Sequence, residues 1–119
     1  MTDIVISGTG LYTPDQSISN EELVQSFNTW VDAYNAEHAS EIAAGELKAE
    51  EHSSVEFIVK ASGIKSRYVI DKAGILDPDR MVPRIPERPN EEHSLQCEIG
   101  LAACREAMLQ ANKTAADID

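Results

Sequence analysis

Four prolines fall within twelve positions, Pro78, Pro83, Pro86 and Pro89, inside the stretch DKAGILDPDRMVPRIPERPN. Each proline removes a backbone donor and fixes φ, so residues 71–90 can be neither a helix nor a central strand. A chain of 119 residues thus gives up a long segment to loop. Regular structure must be found on either side of it. A loop of this length is a place for function or for disorder.

Before the loop, the sequence predicts a strand over residues 3–7, short and β-branched, closed by Gly8 and Gly10. Pro14 and Asp15 mark a turn. Ser19 and Glu22 make a capping box, in which hydroxyl and carboxylate each satisfy a free backbone N–H at a helix start. Leu23, Phe27, Trp30, Val31 and Tyr34 then recur on one helical face. Past residue 38 this stripe fades, and Gly45 is the expected break. Ser53 and Glu56 repeat the box ahead of a short helix through Phe57, Ile58 and Val59, which Gly63 should end in a left-handed C-cap. Residues 64–70 alternate as a second strand.

After the loop, a helix is expected from Asn90 to about Ala111. Ala102, Ala103 and Ala107 let a neighbour approach closely, while Leu95, Ile99, Leu101 and Met108 supply bulk. Apolar positions cover more than one face, so deep burial is expected. Thr114 and Asp117 offer a third capping signature. Two strands about sixty residues apart make a marginal sheet on their own. The reading is therefore of the first part of a larger α/β protein, completed by strands beyond these residues.

Net charge is −11, from 10 basic and 21 acidic side chains. That argues against a nucleic-acid backbone as partner, since phosphates demand a basic patch. The acids Glu37, Glu41, Glu46, Glu50, Glu51 and Glu56 read as a solvated helical surface. No apolar run approaches the roughly 20 residues of a membrane span, and no secretory signal opens the chain. Cys97 and Cys104 are too few for a disulfide framework and suggest a reducing compartment, so cytoplasm is the expected location.

Candidate chemistry is sparse. Gly8-Thr9-Gly10 follows an apolar run, but a dinucleotide fingerprint needs a third glycine where Thr13 stands. It also needs a helix opening at the glycines, whereas the cap comes at Ser19. A tight turn beneath a close neighbour fits better. Cys97 and Cys104, seven apart on one helix, read as buried small hydrophobes rather than as metal ligands or nucleophile. His38 and His52 read as isolated and solvated, His93 lacks further ligating partners, and Trp30 and Tyr34 belong to the core stripe.

Three stretches carry a resemblance. GTGLYTPDQSISNEEL is similar to the opening of the β-ketoacyl-acyl-carrier-protein synthase III enzymes of the thiolase superfamily. There a strand leads into Gly-Thr-Gly-x-Tyr-x-Pro, and Ser/Thr-Asn-x-Glu/Asp-Leu opens a helix. EFIVKASGIKSRYV resembles that family's aromatic-Ile-Val-x-x-Thr-Gly-Ile-Arg/Lys-x-Arg segment. SLQCEIGLAACREAMLQANKTAADID resembles its helix of small residues before the central strand. Together the three cover about half the chain, in the family's order.

The resemblance implies a thiolase-like five-layer αβαβα fold, residues 1–119 being the N-terminal part of its first half, and a homodimer. It implies a decarboxylating Claisen condensation with acyl-CoA and malonyl-acyl-carrier-protein as substrates and no cofactor. The family's cysteine nucleophile and its His/Asn pair lie past residue 119, so no catalytic residue is assigned, and Cys104 is not given the role.

Three substrate-binding positions carry over. Phe57 matches the aromatic that stacks on the CoA adenine, in preference to Trp30. Ala61 stands where the family has an arginine for a CoA phosphate, and Ser62 where it has a threonine. A methyl in place of a guanidinium weakens phosphate recognition. Residues between Trp30 and Ser53 and the 71–90 loop read as insertions; the loop is expected to shape the acyl entrance for a donor other than acetyl-CoA. Other readings are a split or degenerate thiolase-fold subunit docking with a catalytic chain, and an unrelated acidic interaction domain.

Overall fold

The computed structural model describes residues 3–119, which divide into two compact units, 14–85 and 3–13 with 86–119. In the first, β1 (Gln16–Ser19) pairs antiparallel with β2 (Ser66–Val69), placing Gln16 opposite Val69 and Ser19 opposite Ser66. Residue Ile18 of β1 is wholly buried. β2 lies inside the expected 64–70; β1 was not foreseen, because QSIS has a single large apolar side chain and reads as the approach to a cap.

Helix α1 (Asn20–Glu37) starts as the sequence predicts. Glu22 N–H donates to Ser19 Oγ at 3.2 Å, and Ser19 N–H donates to Glu22 Oε2 at 3.0 Å. Lys72 Nζ lies 2.6 Å from Glu22 Oε1, and this bond with the cap holds the Glu22 carboxyl below its usual range. The stripe faces inward through Val31, which is buried, while Trp30 is half-buried beside Phe27 and Tyr34. Helix α2 (Ala39–Ala43) ends before Gly45, whose φ of 76° is left-handed. Of the acidic stretch, Glu37 and Glu41 lie in α1 and α2, residues 44–54 run as turn and coil, and Glu56 is helical again.

Helix α3 (Val55–Ser62) is capped by Ser54, one residue later than expected, because Ser53 is already held by Asn28. Gly63, at φ 71°, closes it as predicted. The 71–90 segment does contain a helix, α4 (Lys72–Leu76), since its first proline comes only at Pro78. Ser26 Oγ donates to Leu76 O at 2.8 Å, fastening α4 to α1.

In the second unit, α5 (Leu95–Gln110) begins at an Ser94 cap, and a 3₁₀ turn at Ala115–Asp117 carries the Thr114–Asp117 box. The expected strand over 3–7 does not form. No strand among the described residues runs beside it, and Ile4 is fully exposed. Gly8 and Gly10 instead press against α5. A Cβ on Gly8 would strike the carbonyl of Ala107, and one on Gly10 that of Ala103. Thr9 N–H donates to Gln110 Oε1 at 2.7 Å, and Leu11 N–H to Glu106 Oε2 at 3.1 Å. The alanines do permit close approach, but no residue of α5 is buried within this unit, against the deep burial expected. On its remaining apolar face, Cys104, Ala107 and Met108 line an open groove with Ala115 and Ile118.

Helices with a two-stranded sheet accord with an α/β chain. No helix among the described residues is long and apolar enough to cross a membrane. Ser19→Ala should lower unfolding stability by about 1 kcal/mol, read as a shift in denaturant midpoint. Gly10→Ala should cost about 1–3 kcal/mol by overpacking and should speed hydrogen exchange at Thr9 and Leu11.

Candidate functional site

One face of α1 fixes α3 at both ends. Asn20, Asn28 and Asn35 lie within about 80° of arc at roughly 100° per residue, so all three point the same way. Asn20, buried, donates from Nδ2 to Ile64 O at 2.6 Å just past α3 and accepts from Arg67 at 3.0 Å. Asn28 grips Ser53 by two bonds, Nδ2 to O at 3.1 Å and Ser53 N–H to Oδ1 at 2.8 Å. Asn35 grips Glu50 likewise, both bonds 2.9 Å. Residues 50–53 form a strap bound as a strand would be, with side-chain amides replacing a partner backbone.

This frame carries, on α3, the three positions that the family resemblance marks for substrate binding. Phe57 is 65% exposed. Ala61 lies four residues on, hence on the same face, and is exposed. Ser62 is turned about 140° from Phe57. Its Oγ donates to Ile58 O at 2.8 Å and accepts from Ile64 N–H at 3.2 Å, so its donor is already used.

Two grooves flank the helix. Phe57 lines one of about 490 Å³ with Phe27, Glu51, His52, Ser53 and Ser54. The other, about 250 Å³ and almost wholly apolar, is lined by Leu23, Val24, Phe27, Ser53, Ile58 and Met81. Phe27 and Ser53 belong to both.

Met81 reaches this groove from the proline-rich loop with a left-handed φ of 56°. The loop is held by carboxylates. Arg84 N–H donates to Asp71 Oδ2 at 2.5 Å, and Arg84 Nη2 to Asp77 Oδ2 at 2.7 Å. The Arg84 N–H holds the Asp71 carboxyl below its usual range. Arg80 and Met81 N–H groups close on Asp77 O at 3.0 and 2.8 Å.

The histidines are less isolated than expected. His38 Nδ1 lies 2.6 Å from Glu41 Oε2, and His52 Nε2 lies 2.7 Å from Asp32 Oδ1. Both cysteines are free and exposed, against the expected burial, because the face of α5 that carries them is uncovered within its unit. Trp30 sits in an aromatic row with Phe27 and Tyr34, at 5.6 and 5.2 Å between centroids.

Sequence reasoning missed the asparagines. Their spacing of eight and then seven residues, beside the apolar stripe, was the available signal.

No family model matches this sequence. Over 96 residues it is 59% identical to the beta-ketodecanoyl-[acyl-carrier-protein] synthase of Pseudomonas aeruginosa. The family resemblance is borne out. The match takes in 81% of this chain and 27% of that synthase, so the chain spans little more than a quarter of its relative's length.

Because the folded Asp71 pKa is depressed, its contribution to holding the loop is complete above the ordinary aspartate value. That contribution is lost as pH falls through the lower folded value. The Arg84 amide resonance should therefore titrate below about pH 4, and Asp71→Asn should abolish the titration.

Proposed function

We propose that this chain is part of a β-ketoacyl-acyl-carrier-protein synthase III-like condensing enzyme, working with the rest of that enzyme in a thiolase-like five-layer fold. The identity of 59% over 81% of the chain carries this reading. In the proposed reaction a cysteine thiolate outside these residues attacks an acyl-CoA. The acyl group passes to sulfur and CoA leaves as a thiol. Malonyl-acyl-carrier-protein then loses CO2, and its carbanion attacks the acyl-enzyme, releasing 3-oxoacyl-carrier-protein and restoring the thiolate. Such chemistry needs an activated thiolate and donors for the developing enolate. It needs no further cofactor.

Within this scheme Phe57 stacks on the CoA adenine. Exposure of that ring beside a groove supports the role. Ala61 offers no cation to phosphate, and Ser62, its donor engaged with Ile58 O, offers only acceptor capacity. CoA is then held more by stacking than by charge. The 71–90 loop borders the acyl path, with Met81 and Ile58 as apolar walls, which favours a donor longer than acetyl. In this reading the enzyme works in the cytoplasm, as a homodimer, in fatty-acid synthesis.

The test is the native protein bearing this sequence, isolated with every chain associated with it and supplied with acyl-CoA and malonyl-acyl-carrier-protein. One CO2 and one free CoA should appear per 3-oxoacyl product; absence of that product overturns the proposal. Phe57→Ala should raise the KM for acyl-CoA about tenfold, a stacked ring carrying about 1–3 kcal/mol. Met81→Gly, which suits the left-handed backbone, should shift chain-length preference without unfolding the protein. An unchanged preference removes the loop from the acyl path.

A further inference from the structure

Residues 50–53 are coil that opens on two glutamates, yet four hydrogen bonds with two asparagines hold them to α1. Four such bonds from two side chains, all to backbone, specify position and ignore sequence. The same segment supplies Glu51, His52 and Ser53 to the groove that Phe57 lines, where Ser54 joins them, and Ser54 caps the helix on which Phe57 stands. A shift of the strap would therefore move the groove wall and the helix start together. The other end of α3 cannot follow, because Asn20 holds Ile64 O. The helix would tilt about that end.

We infer that Asn28 and Asn35 are positioning residues for the ligand face of α3. They set the distance between the Phe57 ring and the strap across the groove. This inference rests on the proposed contact of Phe57 with acyl-CoA. Neither asparagine touches the ligand; each acts through the backbone of Ser53 or Glu50. His52, 2.7 Å from Asp32, adds an exposed pair to the same strap. An exposed pair of this kind contributes little by itself, so the amides carry the attachment.

The experiment uses the intact condensing enzyme with Asn28→Ala and Asn35→Ala, singly and together, beside Phe57→Ala. The probes are KM and kcat for acyl-CoA at saturating malonyl-acyl-carrier-protein, and amide exchange at Glu50 and Ser53. The double variant should show faster exchange at both amides and a KM raised about tenfold at unchanged kcat, a misplaced wall being enough for such a loss. Asn28→Asp, which keeps the acceptor for Ser53 N–H, should recover part of the KM. Should the double variant fail to fold, Asn35→Ala, at the exposed end of the strap, carries the same comparison.

Faster exchange with an unchanged KM, while Phe57→Ala still raises KM, overturns the positioning role and leaves the Phe57 contact standing. A fall in kcat with KM unchanged overturns it as well. An unchanged KM in Phe57→Ala removes the contact itself, and the inference with it.

Discussion

The unit formed by residues 14–85 depends on the exchange of backbone partners for asparagine amides along α1. Buried backbone groups outside helix or sheet must still be paired. A short helix, a coil strap and a two-stranded sheet would leave many of them open. Asn20 and Asn28 close the gaps at Ile64 and Ser53, and Asn35 adds two exposed bonds at Glu50. Each bond contributes a net 0.5–1.5 kcal/mol or so, while a buried amide left unmatched costs about 1–3 kcal/mol. Asn20, almost completely buried, has the most to lose and has both ends of its amide satisfied. Val31 supplies apolar burial on the same face, and Phe27 forms the floor shared by both grooves.

The same logic, polar groups placed by a neighbouring helix, governs the unit formed by 3–13 and 86–119. There the glycines bring backbone against the alanines of α5, and Gln110 and Glu106 accept from it. Arg88 ties the approach to α5 to its first turn, with Nη1 2.7 Å from Glu98 Oε1 and 2.9 Å from His93 O. The Glu98 carboxyl is held low by that guanidinium. Nothing in the arrangement resembles a phosphate cradle. Glycine serves here for close packing, as the missing third glycine implied.

Local signals were legible where both partners lie within a few residues. The Ser19–Glu22 and Thr114–Asp117 boxes, the Gly63 cap and the stripe through Val31 follow from short-range chemistry. Long-range pairings were not. β1 exists because β2 lies opposite, and residues 3–7 lack a strand because none among the described residues pairs with them. Ser53 lost its capping role to Ser54 through a contact with Asn28, 25 positions earlier in the chain. Phe57 was identified as a candidate by family resemblance, and its exposure and groove needed coordinates. The asparagines carried the weakest signal, since a polar residue beside an apolar stripe looks like ordinary helix surface.

Asn28 and Asn35 hold the strap only through main-chain atoms of Ser53 and Glu50. No side chain between them is required for attachment. Substitutions at Glu50, Glu51 and His52 can therefore accumulate while the path of the chain stays the same. A stretch of this kind can change its charge and its lining of the adjacent groove over evolutionary time, with the helix behind it left in register. The lining of the groove and the path of the backbone are thereby separated within a few residues of one another.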